Sequence, residues 1–439
     1  MTGMETRFHS GKFYLLAFGA MLNVSAGAVA NPADRVTLEE AAREAVAWHP
    51  VLSEVAGELN ARGTEVDVAR AGYSPQISAG VATGYDSRLT SSWRPRPQIS
   101  ASQMIYDFGK VSSAVDSAWA GVRIGQAQLL SAVDDLVRDT GYAMIEVQRG
   151  EALHQIAIEQ LDRVRAISDL VDNRVTKGAA TQSDGLQALA RVEAVMATLS
   201  QIEAVRRRWS SNLAFLLGRP APPGTVDKDV PGWLMAACRQ PSVDWNDVPA
   251  VMAAEARKDQ AKADLRRSKA EQLPTISIGG TGTIDVSDPL SDRRSAYTIG
   301  LNVTNNVFGG GITKARVRGA QYALDAAEAA TDRVRNETAQ RLSESQQQIE
   351  SLNALLKTLS SREGNMSETG KLYRMQYLEM GTRTLVDLLN AEQEYQQVRM
   401  EAANTTHDLR RLELDCLYSS GRVRSAFHLT GMVVRGVTL

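Results

Sequence analysis

The sequence predicts a mainly α-helical protein with a membrane β-barrel portion, built from one structural plan used twice. Three observations carry this expectation. Two very long proline-free stretches show helical apolar spacing. Four short stretches alternate apolar with small or polar residues. Landmarks of the first half return in the same order in the second. The composition agrees. Hydrophobic residues make up 43% of the chain but aromatics only 5%, which suits long helices with narrow apolar seams better than one compact core.

Taken in order, residues 1–30 read as a signal peptide. Arg7, His9 and Lys12 form a basic start, Phe13 to Val24 an apolar stretch, and Ala28-Val29-Ala30 a small-x-small cleavage site, so the mature chain would begin at Asn31. Beyond it no run of about 18 apolar residues occurs, so a mature chain that enters a membrane must do so as a β-barrel. Each half then opens with a helical segment, Leu38 to Gly72 and Val248 to Gln272, stopped by Pro75 and Pro274. Strand-like alternation comes next. It runs through Ile77, Ala79, Val81, Thr83 and Tyr85, then, after a polar proline-containing loop, Ile99, Ala101, Gln103 and Ile105. The second half offers Ile276 and Ile278, a loop with Asp285, Asp288, Pro289 and Asp292, then Tyr297, Ile299, Leu301 and Val303. Stretches of about ten residues with one apolar face match membrane barrel strands.

The longest elements are Lys110 to about Lys177 and about Thr313 to Met380. In the first, Val111, Val115, Ala118, Val122, Gly125 and Leu129 form a heptad-like seam. A helix of that length spans about 100 Å. Glycine turns at Gly178 and Gly381 reverse the chain into return helices, about Thr181 to Leu217 and Thr384 to Leu417. The duplication rests on Ser74 to Ser78 against Leu273 to Ser277, Tyr106 to Gly109 against Asn306 to Gly309, and Gly178 to Asp184 against Gly381 to Asp387. The expected division is a first repeat over 31–220, a linker over 221–248 with a small side domain, a second repeat over 249–421 and a C-terminal tail over 422–439.

Four strands cannot close a membrane barrel, and open edges in lipid leave backbone groups unpaired. Copies must therefore pool strands, two giving eight and three giving twelve. Other functions lack a site. The net charge of −2 gives no electrostatic basis for nucleic-acid binding. His9, His49, His154, His407 and His428 show no metal-ligand spacing, Gly309-Gly310-Gly311 lacks a phosphate-loop ending, and no catalytic constellation is visible. No enzyme activity, metal or cofactor is expected. The basic run Arg206-Arg207-Arg208 reads as solvated helix face or as packing against a neighbour, with partner contact as the alternative. Cys238 and Cys416 would reach an oxidising compartment, but spacing alone does not pair them. The competing readings are a non-conducting coiled-coil protein of the periplasm and a secreted enzyme.

These residues resemble the TolC family of outer-membrane efflux and secretion channels over nearly the whole mature chain. The match rests on YSPQIS, LPTIS, YDFG, FGGG and above all GTRTLVDLLNAE from Gly381 to Glu392. The resemblance implies a homotrimer with a twelve-stranded barrel in outer-membrane lipid above a long periplasmic helical barrel. It implies a passive duct for type I secretion or efflux, docked to an inner-membrane transporter through a periplasmic adaptor at the tips near Gly178 and Gly381. It implies a periplasmic gate of Arg383 and Asp387 with Ser183 and Asp184 at the partner positions. Two departures stand out. Asn390 occupies a position that is acidic in TolC, and Leu378 replaces an expected tyrosine, with Tyr377 adjacent. The resemblance also brings Cys238 and Cys416 to one belt midway along the tunnel, where a disulfide is expected and two buried thiols are the alternative.

Overall fold

The computed structural model describes residues 35–84, 94–239, 243–284, 295–307 and 309–439. The signal peptide expected at 1–30, Tyr85, the loop from Asp285 to Asp292 and Phe308 lie outside these residues. The chain starts with β1 (Arg35–Val36), α1 (Leu38–Trp48) and α2 (Pro50–Arg70). Thr37 and Glu40 form a capping box that starts α1. The sequence predicts one helix from Leu38 to Gly72, and two form. Pro50 has no N–H to donate and holds His49 extended, at ψ 130°. A 3₁₀ turn at Ala71–Tyr73 leads to β2 (Gln76–Gly84) and β3 (Arg94–Tyr106). Pro95 and Pro97, which the sequence places in a loop, lie in β3. They stand opposite Thr83 and Val81 of β2, and pairing with the strand on the other side begins only at Gln98. Proline is tolerated where the ladder has no second partner.

α3 (Lys110–Thr176) runs 67 residues, about 100 Å. Its start explains the YDFG motif. Asp107 accepts from the N–H groups of Gly109 at 2.9 Å and Val111 at 2.6 Å, while Gly109 takes φ +96°. Lys110 Nζ then donates to the Leu273 carbonyl at 2.8 Å and ties the two halves together beneath the strands. Next come α4 (Gln182–Leu217), β4 (Thr225–Val226) and α5 (Gly232–Met235), then α6 (Pro249–Ala270), β5 (Thr275–Ile284) and β6 (Ser295–Thr304). The second half closes with α7 (Ile312–Met375), a π-helical turn (Gln376–Met380), α8 (Leu385–Ser419), α9 (Val423–Ala426) and a hairpin of β7 (Val433–Val434) and β8 (Val437–Thr438).

The four long strands form one antiparallel sheet in the order β2-β3-β5-β6. Its register sorts side chains by chemistry. Ile77, Val81, Ile99, Ile276 and Ile278 share a face with Tyr297, Ile299, Leu301 and Val303. The other face carries Ser78, Ser100, Ser102, Thr281, Thr298 and Asn302. The apolar face is uncovered, with Tyr297 84% and Ile299 75% exposed. Both outer strands, β2 and β6, have one edge unpaired among the described residues.

Below the sheet, α3 packs against α2, α4, α6 and α8, and α7 against α6 and α8. The main core lies midway along these helices. Leu129, Val133 and Met144 of α3, Leu213 of α4 and Leu414 of α8 meet Leu234, Phe427 and Leu429 there. The segment 422–439, which the sequence suggests is a tail, is thus part of this belt. Trp233 packs edge-on against Phe427 at 4.9 Å, and Arg424 pairs with the buried Asp134. Cys238 and Cys416 are joined in a disulfide with Cα atoms 5.4 Å apart, fastening the linker to α8. By contrast only Thr331, Thr338, Ser345 and Leu359 of α7 are buried. The chain exposes 27428 Å², against about 16,000 Å² for a compact monomer of its mass.

Candidate functional site at the helical hairpin tips

The ends of the hairpins α3/α4 and α7/α8 gather the residues singled out from sequence. Gly178 and Gly381 take φ +70° and +63°, the left-handed conformation glycine adopts without steric cost. Three residues later Thr181 and Thr384 cap the return helices. Thr181 Oγ1 donates to Asp184 at 2.8 Å, and the Thr181 N–H donates to the same carboxylate at 3.0 Å. Thr384 and Asp387 repeat this at 2.9 and 3.2 Å. The duplicated GAATQSD and GTRTLVD strings are therefore a turn glycine followed by a capping box. The threonine–aspartate spacing carries that signal, whereas the family resemblance points these aspartates to the gate alone. The Thr384 N–H and hydroxyl hold the Asp387 carboxyl below the usual carboxylate range.

Arg383 is exposed and bonds to no carboxylate among the described residues of the protomer. Its Nε donates to Gln376 Oε1 at 3.2 Å, and its guanidinium stacks 4.4 Å from the Tyr373 ring centre. Ser183 Oγ lies 2.7 Å from Thr181 Oγ1, and Asn390 is exposed one turn beyond Asp387. Within one chain, then, the five gate candidates share the tip region without bonding to one another.

A residue missed from sequence links the two hairpins. Arg174, in the last turn of α3, donates to the Tyr377 carbonyl at 3.2 Å and stacks 4.8 Å over the Tyr377 ring. Tyr377 lies in the π-helical turn, whose extra residue rotates the chain beyond it. The turn sends Tyr377 inward and leaves Leu378 outside, which accounts for the one-residue offset of the tyrosine. Tyr377 joins Ile167, Val171, Leu385, Leu388 and Leu389 in a small tip core. Farther up, α3 and α8 also share polar contacts, including Glu159–Arg399 at 2.7 Å and Asp135–Tyr418 at 2.8 Å. Within the first hairpin, α3 and α4 meet through Leu161, Val164, Val192 and Val195.

A four-stranded amphipathic sheet above helices of this length is the architecture of a membrane channel subunit. The chain matches the Outer membrane efflux protein family over residues 41–219 and 246–415. It belongs to that family. Protein CyaE of Bordetella pertussis is 26% identical over 330 residues, covering 69% of this chain and 68% of the relative. Outer membrane efflux protein BepC of Brucella suis is 23% identical over 399 residues, covering 85% and 82%. The crystal structure of VceC from Vibrio cholerae superposes with a TM-score of 0.77 at 17% identity, over 88% of this chain and 96% of that one. The protein is thus an outer-membrane channel of secretion or efflux with a long periplasmic helical portion, in a family of channels and not of enzymes. Family membership rules out the non-conducting coiled-coil reading. The channel's apolar strand face is the surface that lipid covers, and its polar strand face lines the lumen.

Proposed function

We propose that the channel is a gated passive duct, assembled as a homotrimer and joined to an inner-membrane transporter by a periplasmic adaptor. The observation that carries the assembly is the open four-stranded sheet. Its edges must pair with further copies in lipid, and three copies make a twelve-stranded barrel. The bare face of α7 supplies the matching helical contact. The repeats are 31–220 and 249–421, joined by the linker 221–248. The hairpin tips at Gly178 and Gly381 are the adaptor-docking surface.

In this reading the gate forms between protomers. Arg383 reaches Ser183 or Asp184 of a neighbouring copy, and Asp387 and Asn390 line the constriction. Asn390 makes that constriction less attractive to cations than a carboxylate would. Arg383 has a flat guanidinium for bidentate pairing, and a bond at a wet constriction is worth only about 0.5–1.5 kcal/mol, weak enough to open. Between the tip core and the belt core, polar contacts such as Glu159–Arg399 join α3 to α8, and contacts of this kind re-form readily when one hairpin shifts against the other. The cargo is a small molecule or a secreted protein. The name of the relative BepC favours efflux. The test is single-channel conductance of purified oligomer, wild type beside Arg383→Ser. A small wild-type conductance that rises in the variant supports the gate. Equal conductances would remove Arg383 from it.

A further inference from the structure

The four barrel strands contain no aspartate or glutamate, and their only charged residues are Arg94 and Arg96. Arg96 stands opposite Ala82 and shares its face with Gln98 and Ser100, which stands opposite Ser78. The Ser78 and Ser100 hydroxyls meet at 2.7 Å, so this is the polar, lumen-facing side. Pro95, Pro97 and Ile99 take the lipid side. Arg96 is exposed, and the side chain across the ladder is a single methyl, which leaves a guanidinium room to project inward. Its depth follows from topology. β3 enters α3 at the Tyr106 end, so the helices mark the periplasmic side, and Arg96 lies at the opposite end. The strand from Arg96 to Tyr106 spans about 33 Å, about the thickness of the hydrocarbon core once tilted.

We propose that Arg96, repeated once per protomer, forms a guanidinium ring inside the outer mouth that makes the exit favour anions and selects for anionic cargo. Nothing on the described lumen face opposes it, since the four strands carry no carboxylate. Three unit charges about 10 Å from the axis, screened over a Debye length of about 10 Å at 0.1 M salt, shift the anion-to-cation permeability ratio about fourfold. At 1 M salt the screening length falls to about 3 Å and most of the effect disappears.

The experiment is the reversal potential of reconstituted oligomer under a KCl gradient, for wild type, Arg96→Gln and Arg96→Lys. The expected result is a chloride-to-potassium ratio above one in wild type. It drops about fourfold in Arg96→Gln, stays high in Arg96→Lys and converges among the three in 1 M salt. A ratio that Arg96→Gln leaves unchanged at 0.1 M salt overturns the ring. Because conductance is read in the same trace, such a result leaves the duct itself standing.

Discussion

At the level of single residues, the belt holds charged groups in unusual states. Glu413 is 5% exposed, and its Oε2 finds no hydrogen-bond partner among the described residues. Burial pushes its carboxyl up to about 7, although Arg410 and Arg239 pull the other way. Between pH 4.5 and 7 the folded protein therefore binds more protons here than the unfolded chain, so this group lowers stability as pH rises. Glu413→Gln should remove that loss and stabilise the protein by about 1–2 kcal/mol at pH 8, with little change at pH 4.5. Denaturant midpoints at the two pH values check this, and an equal effect at both would show that Glu413 is not the titrating group. His407 behaves in the opposite sense. Burial pulls its imidazole down to about 4, so its contribution is complete above pH 6.5 and lost as pH falls toward 4. His407→Gln should flatten the acid limb of the stability profile over that window, and an unchanged limb would assign the acid sensitivity elsewhere.

Among the helices and strands, single backbone positions fix how elements meet. Gly218 ends α4 at φ +69°, and a Cβ there would fall 2.2 Å from the Trp48 ring. Trp48 in turn donates its indole N–H to the Leu216 carbonyl at 3.1 Å. Gly218→Ala must strain the turn and displace the indole, costing about 1–3 kcal/mol. The denaturant midpoint should fall and the tryptophan emission should shift, and a variant matching wild type in both would refute the contact. The strands offer a second test, of which face meets lipid. Ile299→Arg should destabilise the barrel by about 2–4 kcal/mol, while Asn302→Arg on the opposite face should be nearly neutral. The yield of heat-resistant oligomer in the outer-membrane fraction reports this, and equal yields would reverse or abolish the face assignment.

Across the whole molecule, the belt holds together segments distant in sequence. The disulfide links residues 178 positions apart. In the chain-entropy account a loop of that length is worth about 5 kcal/mol, an upper figure because denatured chains retain structure. Cys416→Ser should lower the urea midpoint, and alkylation without reduction should leave both wild-type cysteines unlabelled by mass spectrometry. Label on both would show that the bridge does not form in the cell. The buried pair of Arg424 with Asp134 adds a second fastening, from the last segment of the chain to its longest helix.

The periodic elements of this protein are legible in its amino-acid order. The long helices, the alternating strands and the turn glycines are local patterns, and each reappears within a few residues of its expected bounds. The local misses are a helix break at Pro50 and two prolines inside β3, where the outcome depends on what stands across the ladder. Folding settles the rest. Segment 422–439 is core because Phe427 and Leu429 find their apolar partners on α3, α5 and α8 and not nearby in sequence. Asp184 and Asp387 are occupied by their own caps, and Arg174 reaches Tyr377 across 203 residues. The strand register puts Arg96 on the polar face. Periodicity is written along the chain and can be read there. Partnership is a contact between distant segments, and its energy exists only once the chain has folded.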